Sequence, residues 1–157
     1  MQNGTNDQSC AAATAKTLGL SVGYAAAPFD AQAVQAVMGS LDLLILNAVE
    51  AEQLHQATGQ SPAQLPVRDI IVTLGAEGCL WYGIEGQQQF EAIAVEPVDT
   101  TGAGDTFTGY VLAGLDRGMP MAQAISLGIK AAGLMVTRLG TADVIPDLKD
   151  LQDAQLI

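Results

Sequence analysis

The chain has 157 residues, 49% of them hydrophobic, which is the size of one domain with enough apolar material for a core without disulfides or metal. Six Lys plus Arg against 17 Asp plus Glu give a net charge of −11, which disfavours nucleic acid and anionic membrane as partners. Cys10 and Cys79 form no Cys-x-x-Cys pair, no stretch reaches the ~18 consecutive apolar residues of a membrane span, and the N-terminus lacks the order of a signal peptide; together these point to a reducing cytoplasm.

In chain order, residues 9–18 read as an Ala-rich helix closed by Gly19, and Leu20 to Ala25 as a strand. Asp30 to Met38 is predicted helical, Leu43 to Leu46 is an apolar run suited to a strand buried on both faces, and Val49 to Ala57 is again helical. This alternation predicts an α/β fold, a mostly parallel sheet with helices on both faces. After a Pro/Ser/Gln-rich loop over 59–66, Ile70 to Leu74 reads as a strand. Cys79 to Tyr82 and Gln88 to Ile93 then form an antiparallel hairpin through Gly83 to Gly86. Two helices follow. Phe107, Tyr110, Val111, Gly114 and Leu115 mark one face of the first, which Gly118 and Pro120 end, and Ala122, Ile125, Ile129, Ala132 and Val136 mark one face of the second. There is no internal repeat and no low-complexity tract.

The first of those helices starts at the most informative string of the chain, Asp99-Thr100-Thr101-Gly102-Ala103-Gly104-Asp105. Backbone N–H groups of a first helical turn lack internal partners, and the aligned peptide dipoles leave roughly half a positive charge there, so the turn favours an anion such as phosphate. Taken alone, Gly102 and Gly104 also suit a mere tight turn, and Asp105 a charge-complementing residue. No Gly-Lys pair occurs, which excludes a Walker-type loop, and Phe107 stands where a dinucleotide fingerprint needs its third glycine. Asn47-Ala48-Val49-Glu50 lies where a strand ends and a helix begins, the edge at which open parallel sheets place ligands; alone it also reads as an N-cap with a first-turn Glu. Thr73-Leu74-Gly75-Ala76-Glu77-Gly78 ends the next strand in a glycine-flanked turn. His55, Trp81, Tyr82 and the five Met read as surface or packing residues.

In this order the three motifs resemble those of the ribokinase-like (PfkB-type) carbohydrate kinases, and the resemblance runs from about Gln8 to Ile157. It implies a ribokinase-like fold in which 1–157 corresponds to the C-terminal, ATP-side part of a single domain, with no segment matching the sugar-binding half or its β lid. The resemblance makes Asp105 the catalytic base and Gly102, Ala103 and Gly104 the anion hole for the transferring phosphoryl group. It implies ATP as cofactor, approached by Asn47, Thr73, Gly75, Gly78 and Gly104, with Ile129 near the adenine where some relatives have His or Asn. It implies Mg2+ placed by Glu50 through water, and a monovalent cation such as K+ held by Asp99, Thr101 and carbonyls near Met135, Arg138 and Gly140. Val144 stands near a place where many relatives offer a hydroxyl.

The activity implied for the parent protein is phosphoryl transfer from ATP to a sugar hydroxymethyl group, most simply of a pentose such as ribose. A vitamin or nucleoside kinase of the same fold and a non-catalytic nucleotide-binding or assembly module are the alternatives. The piece by itself is expected to bind nucleotide, to leave sugar unphosphorylated, and to self-associate through an edge deprived of its neighbouring strands.

Overall fold

The structure, a computed structural model, describes residues 22–24, 39, 41–140 and 144–157. The helices expected over 9–18 and 30–38 lie outside the described residues; of the strand expected from Leu20 to Ala25, Val22–Tyr24 is described and is a strand. The chain divides into two compact units, Met1–Gly75 with Cys79–Phe90, and Ala76–Gly78 with Glu91–Ile157.

The first unit carries a five-stranded sheet in sequential order: β1 (Val22–Tyr24), β2 (Leu43–Asn47), β3 (Asp69–Thr73), β4 (Cys79–Gly83) and β5 (Gly86–Phe90). β1, β2 and β3 run parallel, and β4 and β5 return antiparallel. The sheet is therefore mixed. Leu43 to Leu46 and Ile70 to Val72 are buried without alternation, as parallel strands covered on both faces require. Helix α1 (Ala48–Thr58) follows β2 and sets Leu54 among Leu44, Leu46, Leu65, Val67, Ile70 and Val72. Each such side chain contributes about 1.5–3 kcal/mol of burial. Gly59 closes α1 in the left-handed conformation, its N–H bonded to the His55 carbonyl.

Two strands shift against their predicted bounds. β3 begins at Asp69, one residue early, because this buried carboxylate finds partners: Arg68 Nε at 3.0 Å and Trp81 Nε1 at 2.9 Å. β5 spans Gly86–Phe90 where Gln88 to Ile93 was predicted. Gly83 pairs directly with Gly86, so Ile84 and Glu85 alone form the turn and the ladder starts at once beyond it.

The second unit contains α2 (Ala103–Asp116), α3 (Met121–Val136) and α4 (Leu148–Asp153). Of the face predicted for α3 only Ile125 is buried; the buried set is Ala124, Ile125, Leu127, Gly128, Ala131 and Met135. The reason is close helix approach. A Cβ on Gly128 would stand 2.9 Å from Phe107 Cδ2 and 3.0 Å from the Phe107 carbonyl oxygen, and one on Gly114 would stand 3.1 Å from Ala124 Cβ. The small residues of α3 therefore face α2, and the larger Ile129 and Val136 turn partly outward. Leu151 of α4 packs with Leu127 and Ala131. No helix among the described residues is long and apolar enough to cross a membrane.

Candidate active site

In the second unit, the turn before α2 is set by Gly102, whose φ of 80° is a left-handed conformation that glycine adopts without penalty. Gly102 is the N-cap, and no side chain caps the helix. The Ala103 N–H bonds the Thr100 carbonyl at 3.3 Å, and Asp105 follows as the third helical residue, exposed to solvent. Gly104 is helical and exposed, and a Cβ built on it would meet nothing within 4 Å. Packing gives no reason for a glycine here, although glycine costs a helix about 0.5–1 kcal/mol relative to alanine. The arrangement offers first-turn N–H donors, an open surface over Gly104, and a carboxylate beside both.

Behind this turn the structure gathers several of the residues expected to hold a monovalent cation. Asp99 Oδ1 accepts the Thr101 N–H at 2.9 Å. This bond, with further ones from the Thr101 hydroxyl and the Gly140 N–H, holds the Asp99 carboxyl below its ordinary 3.8. The N–H groups of Val98 and Asp99 both bond the Val136 carbonyl, at 2.6 and 3.1 Å, which ties the segment leading into the turn to the end of α3. Met135 is buried and its side chain lies under Gly102, while its carbonyl accepts the Arg138 N–H at 3.0 Å. The Arg138 guanidinium turns to the Val144 carbonyl (3.3 Å) and Asp150 (3.4 Å), so it anchors α4. Ile129 sits half-buried on α3.

The depressed Asp99 value predicts an acid response. Its ionised form is favoured in the folded state, so its contribution to stability is present above the unfolded value near 3.8 and is lost as pH falls through the lower folded value. The Thr101 and Gly140 amide resonances are expected to titrate together below pH 3.8, and Asp99→Asn to abolish that response. A midpoint at or above 3.8 would contradict the bonding described.

In the first unit, Asn47 and Thr73 are register partners at the C-terminal ends of β2 and β3, and the Thr73 hydroxyl donates to the Leu46 carbonyl at 3.3 Å. Asn47 and Glu50 form a reciprocal capping box: Asn47 Oδ1 accepts the Glu50 N–H at 2.7 Å, and Glu50 Oε1 accepts the Asn47 N–H at 3.1 Å. The cap engages the amide oxygen; the amide NH2 is the part of Asn47 suited to an anion. Gly75 (φ 60°) opens the 3-10 turn that follows β3, and Gly78 (φ 92°) precedes β4. His55 is exposed on α1, and Trp81 and Tyr82 are half-buried in β4. Among the described residues, no group of three or more His, Cys, Asp or Glu side chains could hold a metal ion.

Reading the sequence missed two contributors. Thr106 and the side chain of Met135 meet beneath the turn, and helix α4 lines a groove of about 610 Å3 that runs along α2 from Asp105 past Tyr110 to Arg117. The Tyr110 hydroxyl donates to the Pro146 carbonyl, and its pKa is raised by burial first and then by Asp147 and Asp150. For α4 a signal was present in Asp147 and Asp150, which cap each other's backbone at 2.8 and 2.9 Å. For the Thr106–Met135 contact, 29 positions apart, sequence carries none.

The chain is similar to known proteins over part of their length. A ribokinase from Lactococcus lactis is 37% identical over 83 residues, which is 53% of this chain and 28% of that protein. The solved ribokinase from Cryptococcus neoformans in complex with ADP matches with a TM-score of 0.77 and 26% identity, over 86% of this chain and 51% of that one. The nucleoside kinase from Burkholderia thailandensis in complex with inosine matches with a TM-score of 0.74 and 27% identity, over 82% and 43%. The fold is thus ribokinase-like and partial, since the chain spans about half or less of the length of each of these relatives. The family model of the pfkB carbohydrate kinases matches residues 6–148, across the Asn47 cap, the β3–β4 turn and the Gly102–Asp105 turn, and the chain belongs to that family.

Proposed function

We propose that this chain is the nucleotide side of an ATP-dependent kinase whose acceptor is the hydroxymethyl group of a sugar, a pentose such as ribose. One observation carries the reading: a helix start with no side-chain cap, opened by the left-handed Gly102, with free space over Gly104 and Asp105 at the third helical position. The ADP complex of the Cryptococcus ribokinase supports nucleotide as the anion. The inosine complex of the Burkholderia enzyme keeps a nucleoside acceptor as the second reading.

In this mechanism the N–H groups at the start of α2 stabilise charge on the transferring phosphoryl, and Asp105 accepts the proton of the acceptor hydroxyl as its oxygen attacks the γ-phosphorus. Asn47, Thr73, Gly75 and Gly78 are the residues that the family resemblance assigns to the nucleotide, and Ile129 is the one it assigns to the base. Magnesium, when bound, neutralises phosphate charge. Glu50 is an oxygen donor of the kind it takes, and few protein ligands suffice because the ion keeps its water. The carbonyls of Thr101, Met135, Arg138 and Gly140, with Asp99, are the oxygens suited to a potassium-type ion. The chain spans about half or less of these relatives' length, and nucleotide binding is the step assigned to it. Among the described residues β1 stands at one edge of the sheet, and self-association through that edge is expected.

Calorimetric titration tests the reading. ATP or ADP is expected to bind only with magnesium, about tenfold or more weakly in Asn47→Ala, as loss of a hydrogen bond to a charged group implies. Binding is also expected to weaken when a large organic cation replaces potassium. Tight magnesium-independent binding of NAD, with no response to ATP, would overturn it.

A further inference from the structure

We infer that the Met135 side chain, with Thr106, is a positioning unit that clamps the Gly102–Asp105 turn from beneath. The inference rests on the anion-binding reading of that turn, but its first test does not require a ligand.

Met135 is 2% exposed and Thr106 4% exposed, so both lie inside the unit. The Thr106 hydroxyl donates to Met135 Sδ at 2.7 Å. The methyl end of the same side chain reaches the other end of the turn, where a Cβ on Gly102 would stand 3.0 Å from Met135 Cε. One side chain therefore touches the residue before the turn's donors and the residue after Asp105. Ala103, Gly104 and Asp105 lie between these two contacts and are exposed or half-exposed, and among the described residues nothing stands within 4 Å of a Cβ built on Gly104.

The choice of partner for Thr106 is informative. A helical threonine commonly bonds the carbonyl four residues back, and Thr108 does so, to Gly104 at 3.0 Å. Thr106 instead directs its hydroxyl across to α3. A buried hydroxyl without an acceptor is costly, so the sulfur satisfies Thr106 while fixing its rotamer. Methionine is suited to both tasks, since its unbranched chain reaches under Gly102 and its sulfur accepts weakly. Through these contacts the end of α3 sets where the turn's N–H groups and the Asp105 carboxylate stand.

The test compares Met135→Leu, which keeps the volume and removes the acceptor, with Thr106→Val, the double variant and Thr106→Ser, all in the full chain. Amide hydrogen exchange of Ala103 and Thr106, whose N–H groups bond the Thr100 and Gly102 carbonyls across the turn, is expected without ligand to quicken about fivefold in either single variant, the effect one net hydrogen bond supports. The double variant is expected to add little, Thr106→Ser to match the parent, and magnesium-ADP affinity to fall in parallel with the exchange. Unchanged exchange in both single variants, or additive effects in the double, would overturn the clamp. Were the parent chain to bind no nucleotide, the functional reading would fail, and the exchange comparison would still decide the clamp. A fall in melting temperature with unchanged exchange at Ala103 and Thr106 would assign the pair to packing and overturn it as well.

Discussion

Replacing Asp105 by asparagine is expected to lower turnover by about 10²–10⁴-fold, the range general-base catalysis contributes, with nucleotide affinity nearly unchanged. The measurement is made in a chimera that joins this chain to the part of a ribokinase relative it does not cover, so that turnover is read in a chain of the relatives' full length. Asparagine keeps the size and position of the side chain on the first turn of α2 and removes its capacity to take a proton. Asp105 is exposed and asparagine keeps an oxygen able to accept the same hydrogen bonds, so the melting temperature is expected to stay close to that of the parent. Near-parental turnover would remove Asp105 from the mechanism.

Gly102→Ala and Gly104→Ala are expected to part company in a way that separates folding from binding. At 102 the backbone is left-handed, with φ 80°, and an added Cβ would stand 3.0 Å from Met135 Cε. Alanine there is expected to cost about 1–2 kcal/mol of stability and to weaken nucleotide binding, because the turn must move to relieve the strain. At 104 the backbone is helical and the Cβ meets nothing, so alanine is expected to stabilise the chain by up to about 1 kcal/mol. It should nevertheless impair binding, since the methyl group occupies the space assigned to phosphate. Denaturant unfolding and titration of the two variants check both halves. Parental affinity in Gly104→Ala would show that the open space is not where the anion sits.

Much of the fold was legible because it rests on patterns that residues announce locally. Leu43 to Leu46 and Ile70 to Leu74 read as apolar strands, and the Gly83–Gly86 turn as a hairpin, since apolar runs and turn glycines are written in consecutive positions. The face of α3 was misread because helix approach, not hydrophobicity, decides it: Ala124 and Gly128 face α2 where spacing favoured Ile129 and Val136. The six-residue α4 carries too few apolar positions to show a period. At the candidate site the residues were legible by motif, yet the structure adds what motif cannot. Asn47 and Glu50 do form the N-cap that their spacing alone allowed, and Asp99, Thr101 and Gly140 meet through hydrogen bonds between distant parts of the chain. The contacts of Met135 lie in three dimensions only.

The most direct test of nucleotide binding at these positions is the response of individual backbone amides to magnesium-ADP, followed by nuclear magnetic resonance on the isotope-labelled chain. The account predicts saturable shifts at Ala103, Gly104 and Asp105 and, in the same titration with the same midpoint, at Asn47 to Glu50 and Thr73 to Gly78, with inorganic sulfate reproducing only part of the first group. Saturable shifts confined to other residues, or none at Ala103 to Asp105 at saturating magnesium-ADP, would contradict it.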